Sequence, residues 1–188
     1  LAAPSANPFG YLSPTEAIHV EEQLGSEIGM IIDGGRCEVG VESTIVKLHD
    51  NMIYCLRPGG IQIEELSDTA GVEVIIAQNM NIPEVPGQLP SHYAPHAELI
   101  LIGEGDPCPD DDGIALCAFR SNNRTNRFVH QEILSPHGNL NEAASNLFSA
   151  LHRLDVSGAV KIYAEMLPER GIGIAIMNRL RKASVQTY

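Results

Sequence analysis

The sequence has no tryptophan, and aromatic residues make up only 5% of it. It therefore has little ring surface on which nucleic-acid bases could stack. Positive charge is also scarce. Twelve Lys and Arg stand against 24 Asp and Glu, for a net charge of −12, which argues against a protein that grips nucleic acid by neutralising phosphates. No apolar run reaches membrane-spanning length and nothing in the chain reads as a signal peptide, so no membrane partner is expected. The four cysteines, Cys37, Cys55, Cys108 and Cys117, form no Cys-x-x-Cys pair and match no metal framework. Cys55 and Cys117 sit in apolar runs and read as buried thiols, which suits a reducing cytoplasm. The first residue is Leu1 rather than methionine.

What is present is globular. The chain has 188 residues, 44% of them hydrophobic, enough for one large or two small domains. Charge is unevenly spread: residues 1–97 carry three bases (Arg36, Lys47, Arg57) and thirteen acids, residues 98–188 nine bases and eleven acids. A triphosphate site needs cations, and the first part offers Arg57 and little else.

Three segments combine small or strand-prone residues with polar groups at turns: LAAPSANPFG at 1–10, VESTIVK at 41–47 and LRPG at 56–59. Residues 1–3 read as the end of a buried strand. Pro4 and Pro8 bracket Ser5, Ala6 and Asn7 and force a non-helical turn. Ser13-Pro14-Thr15-Glu16 reads as a capping box opening a helix over 14–24, with Ala17, Ile18, Val20 and Leu24 inward. Residues 28–32 read as a buried strand that ends in an Asp33-Gly34-Gly35 turn. Residues 40–46 read as a loop entering a strand and 52–56 as the next strand, with a hairpin through 49–51, a short helix over 61–66 and a strand over 72–77. Residues 78–95, with four prolines and one glycine, read as a linker. After residue 97 come strands at 98–102, 114–119 and 159–164 and helices at 141–154 and 171–183. That alternation argues for a small parallel α/β domain.

APSANP at 3–8, SPT at 13–15, GVEST at 40–44, LRPG at 56–59 and PGQLPSHYAP at 86–95 together resemble the YrdC/Sua5 family. The match is ordered and spans most of the chain. The resemblance implies an α/β fold: the second half of a YrdC-like twisted-sheet domain over 1–77, a linker that folds over the active site as a lid over 78–96, and a Rossmann-like Sua5 domain over 97–188. It implies an enzyme that makes threonylcarbamoyl-AMP from L-threonine, bicarbonate and ATP, with Mg2+, for t6A modification of tRNA. The product would pass to the tRNA threonylcarbamoyl-transfer machinery. The family's Lys-x-Arg motif, which precedes its Ser-x-Asn motif, has no counterpart here. The chain is therefore expected to be the C-terminal portion of a longer enzyme, with little or no activity alone.

Ser5 and Asn7 offer a hydroxyl and an amide for neutral polar contacts; by themselves they are a proline-flanked surface turn. Ser43 and Thr44 could bind an amino acid or simply lie in a half-buried strand. Arg57 could fork onto a phosphate or pair with a nearby acid. The resemblance implies ATP contacts at Ser5, Asn7, Ser13, Arg57, His92 and Tyr93, and a threonine pocket at Ala3 and Ser43. No covalent nucleophile and no protein metal ligand is expected. His92 and His96 have helical metal spacing, but Pro95 disfavours the helix. Gly171-Ile172-Gly173 is a weak phosphate-turn signal, better read as close packing, and the acidic run 110–112 as a solvated loop. Two other readings stay open: a nucleotide-responsive regulatory module without catalysis of its own, and a hydrolase using Ser43 or Ser5 with His92.

Overall fold

The computed structural model describes residues 3–77, 91–104, 106–108, 112–121 and 128–184. Two sheets organise them. In the first, β1 (Ile45–His49) and β2 (Met52–Arg57) form an antiparallel hairpin, and β3 (Val74–Ile76) lies parallel to β2 on its other side. Asp50 and Asn51 turn the hairpin with φ of 49° and 58°. A two-residue turn of that kind needs both positions left-handed, and Asp and Asn tolerate this better than most side chains. α2 (Ile63–Ala70) makes the crossover to β3 and is closed by Gly71 at φ 67°. The helix thus starts two residues later than expected and runs four residues further.

The second sheet is parallel, with strand order β4-β7-β5-β6: β4 (Glu98–Ile102), β5 (Ile114–Ala118), β6 (His130–Ile133) and β7 (Lys161–Glu165). β5 is buried at all five positions, as a strand covered on both faces should be. α3 (Leu140–Asp155) and α4 (Gly173–Ala183) supply Leu147, Phe148, Leu151, Ile176 and Leu180 to the main core. α3 is capped by Asn139, whose Oδ1 accepts from the N–H groups of Asn141 and Glu142 at 2.9 and 3.1 Å. Cys55, Cys108 and Cys117 are buried free thiols, and burial pushes the Cys117 thiol up to about 12.

Several expectations are corrected. Ala3 is exposed and not in a strand; residues 1–2 lie outside the described residues. Residues 28–32 form no strand and pair with none of the described strands, and Met30 and Ile32 are 79% and 87% exposed. The helix expected from 14 begins three residues later, as α1 (Ala17–Leu24), and has no side-chain cap. Its inward residue is His19, while Ile18 is exposed. The capping groups are used elsewhere: Ser13 bonds Glu42, and Glu16 accepts from Ser149 at 2.6 Å. The short polar strand β6 was not anticipated. Residues 78–90 of the expected linker, and Asp110 and Asp111, lie outside the described residues.

The α1 side meets α3 along a polar seam. Thr15 Oγ1 lies 3.1 Å from Ser149 Oγ. The His19 and His152 rings stack with centroids 4.0 Å apart, and Tyr11 donates to Asp155 Oδ2 at 2.6 Å. Gly40, at φ +77°, lies so close to α3 that a Cβ there would sit 2.3 Å from the Ala144 carbonyl oxygen. No helix among the described residues is long and apolar enough to cross a membrane.

Candidate active site

The motif turns converge on one side chain from the far end of the chain. Ser13 follows the fully buried Leu12 and donates to Glu42 Oε1 at 2.5 Å. Glu42 stands in the loop before β1. Its other oxygen accepts from Arg179 Nε at 2.9 Å, and Arg179 Nη2 approaches the same oxygen at 2.8 Å, outside hydrogen-bond geometry. Arg179 lies on α4 and is fully buried. Its Nη1 donates to the Pro58 carbonyl at 2.5 Å and to Asn178 Oδ1 at 3.2 Å. Burial alone would raise the Glu42 pKa, but the Arg179 charge and the Ser13 hydrogen bond outweigh it and hold the carboxylate below its usual range.

Arg57, at the end of β2, donates from Nε to the Ser43 carbonyl at 3.1 Å and from Nη2 to Ser43 Oγ at 3.2 Å. It also hydrogen-bonds the Tyr93 side chain. Tyr93 is buried, and its ring faces the Arg179 guanidinium at 5.3 Å and the Phe148 ring at 5.8 Å. Its backbone has φ 63°, a conformation that costs a bulky residue energy and persists only where its surroundings hold it. Burial raises its phenol pKa. Thr44 is structural: its hydroxyl donates to the Ile61 carbonyl at 2.6 Å and accepts from the Ile61 N–H at 3.1 Å.

His92 donates its backbone N–H to the Lys182 carbonyl at 3.3 Å and sets its ring edge-on to Phe9 at 5.9 Å. Burial lowers its pKa, so the imidazole is uncharged at neutral pH. Its Nδ1 is buried and has no partner among the described residues. The same holds for Asn7 Oδ1, whose Nδ2 donates to the carbonyls of Pro8 and Tyr11 at 3.2 and 3.1 Å. Buried polar atoms normally find partners. Two orphans on residues flanking the Phe9–His92 contact mark a place where a polar ligand would be favourable.

Ser13, Ser43, Arg57 and Tyr93 thus belong to one connected set, with His92 beside Tyr93; Asn7 bonds only within its own turn among the described residues. Ser5 is exposed and makes no hydrogen bond among the described residues, and Ala3 is exposed. Nor does any hydrogen bond among them link either Ser5 or Ser43 to His92. Glu42, Arg179 and Lys182 were not anticipated. Glu42 lay inside a motif read for its serine. Arg179 had a visible signal, falling in the apolar stripe of Ile172, Ile176, Leu180 and Ala183 as its one charged member. Beyond Arg57, the cationic charge near the site comes from α4, in Arg179 and Lys182. Gly171 points its N–H at Glu64 Oε1 at 3.1 Å, and a Cβ at Gly173 would meet the Pro168 carbonyl, in line with close packing there. Among the described residues no group of three or more His, Cys, Asp or Glu is arranged to hold a metal.

Comparison with known proteins matches this chain in two stretches. The family model for the threonylcarbamoyl-AMP synthase C-terminal domain covers residues 61–185, and the Sua5_yciO_yrdC model, described as telomere recombination, covers residues 1–59. The threonylcarbamoyl-AMP synthase of Pyrococcus abyssi is 36% identical over 98% of this chain and 57% of its own length. That of Bacillus subtilis is 34% identical over 98% and 57%, and that of Schizosaccharomyces pombe 35% over 98% and 52%. The crystal structure of P. abyssi Sua5 complexed with L-threonine matches at a TM-score of 0.81 and 35% identity, over 97% of this chain and 57% of that one. A His→Ala, Tyr→Ala double variant of P. abyssi Sua5 matches at a TM-score of 0.78 and 32% identity, over 96% and 56%. The chain spans about half the length of the curated relatives it matches.

Proposed function

The chain belongs to the YrdC/Sua5 family of threonylcarbamoyl-AMP synthases, and from that premise we propose that it is part of an enzyme condensing L-threonine, bicarbonate and ATP into threonylcarbamoyl-AMP and pyrophosphate. The threonine amine and bicarbonate give a carbamate and water. The carbamate oxygen attacks the α-phosphorus of ATP, a P–O bond forms, and the bond to the β-phosphate breaks with pyrophosphate leaving. No protein nucleophile takes part. Positioning and charge stabilisation do the chemistry. No group of three or more His, Cys, Asp or Glu among the described residues is arranged to hold Mg2+.

In this reading Ser5, Asn7, Ser13, Arg57, His92 and Tyr93 serve ATP, and Ala3 and Ser43 serve threonine. Arg57 supplies charge to the phosphates. The threonylcarbamoyl adenylate is a labile mixed anhydride, and the His92–Tyr93 segment helps exclude water from it. The product then serves t6A formation on tRNA in the cytoplasm, where free thiols persist. The observation that carries the proposal is the buried, unpartnered Nδ1 of His92, whose ring adjoins Tyr93, with Asn7 Oδ1 likewise buried and unpartnered. The L-threonine bound to P. abyssi Sua5, which this chain matches over 97% of its length, adds support.

Calorimetric titration of ATP in the presence of L-threonine tests it. The 188-residue chain alone should bind weakly or not at all and turn over little. Mixed with the N-terminal half of a full-length relative, it should bind ATP and form threonylcarbamoyl-AMP. Absence of both in the mixture would overturn the reading. Tight nucleotide binding by the chain alone, with no product in the mixture, would favour the regulatory module instead.

A further inference from the structure

Arg179 has an environment that stability alone does not require. A buried ion pair is seldom more stable than well-packed apolar residues of the same size, yet this guanidinium has no exposed surface and contacts three separate segments. It bonds Glu42 ahead of β1, the Pro58 carbonyl after β2, and it lies under the ring of Tyr93. Glu42 in turn holds the Ser13 hydroxyl, and Tyr93 shares a hydrogen bond with Arg57, which holds Ser43. Through one side chain on α4, four segments distant in sequence are fixed relative to one another. A planar fork with fixed donor directions does this where a lysine could not.

The cost of the arrangement is visible at Tyr93, held at φ 63°. A bulky residue in that region needs outside constraint, and the cation beneath its ring is such a constraint, within the range where the interaction is effective. The neighbouring His92 is tied to the same helix by its N–H to the Lys182 carbonyl. The turn that carries both side chains is therefore hung from α4.

We propose that Arg179 is a positioning residue: it holds Glu42, and through it Ser13, in register with Tyr93 and Arg57, so that α4 sets the geometry of the substrate site without touching substrate. The proposal rests on the synthase reading above for its effect on turnover, but not for its effect on the fold.

Three variants of the full-length protein separate positioning from stability: Arg179→Met, Arg179→Lys, and Arg179→Met combined with Glu42→Gln. The single methionine variant leaves Glu42 buried and unpaired, and its Tm should fall. The double variant removes both charges and should regain most of that Tm, yet its kcat/KM for ATP-dependent threonylcarbamoyl-AMP formation should stay down by about tenfold or more. Arg179→Lys should keep much of the Tm and lose turnover as well. In the 188-residue chain the amide protons of residues 92–94 should exchange faster in the double variant than in wild type, while core strand amides do not. Recovery of Tm, turnover and exchange protection together in the double variant would overturn the proposal. If wild type forms no product, the synthase reading fails, and the exchange result alone decides whether Arg179 positions the Tyr93 turn.

Discussion

Backbone meets backbone at Gly59, where a Cβ would lie 2.3 Å from the Glu42 carbonyl oxygen and 2.4 Å from the Thr44 nitrogen. Neither neighbour can rotate away, so Gly59→Ala should cost about 1–3 kcal/mol, the range for overpacking. Urea unfolding checks it, with Gly34→Ala, where nothing lies within 4 Å, as the near-neutral control. The His19–His152 stack predicts a pH dependence. Burial, then the His19 ring, lowers the His152 pKa to about 4 from 6.5. Between those values the unfolded chain binds a proton that the folded chain refuses, so stability is full above pH 6.5 and falls as pH drops toward 4. The loss is up to about 3 kcal/mol by linkage. Urea midpoints at pH 7.5 and 5.0 should converge in His152→Gln; an equal drop in the variant and wild type would refute the assignment. Sequence made the site legible where a polar residue closes a motif turn, as at Ser13 and Arg57. It did not show Glu42 or Arg179 as partners, because their pairing joins positions 137 apart in sequence.

The hairpin, α3, β4 and β5 were readable because local pattern and tertiary use agree there: turn residues at 50–51, apolar spacing along α3 and apolar runs in β4 and β5. α1 shows the opposite. Its capping residues were present, but Ser13 and Glu16 found stronger partners in Glu42 and Ser149, so the first turn was never capped from within. Residues 28–32 had strand composition but pair with no described strand. β6 was missed because only Ile133 in His130–Ile133 is apolar. α3, in contrast, depends on its cap. Asn139→Ala removes two bonds to otherwise orphaned N–H groups and should lower stability by about 1 kcal/mol. Urea unfolding checks this, and Asn139→Asp should be close to neutral.

At the scale of the molecule the two sheets differ in how completely they are covered. The parallel sheet is buried on both faces at its centre, while among the described residues β1 is an edge whose Val46 and Leu48 are 44% and 74% exposed. An open apolar edge invites pairing. The 188-residue chain should therefore self-associate as concentration rises, in sedimentation velocity, and Leu48→Lys should suppress this; a concentration-independent monomer would contradict it. The strand order of the parallel sheet has a consequence in time. Among the described residues β4 pairs with β7 alone, and β7 is the strand that joins it to β5, yet β7 is the last of the four in sequence. As the chain leaves the ribosome, β4 and β5 emerge with a gap between them and wait for residues 161–165 to fill it. Arg179, later still, then locks the earlier motif turns. The motif turns at residues 13, 42 and 57–58 should therefore reach their final geometry only after α4 has been made.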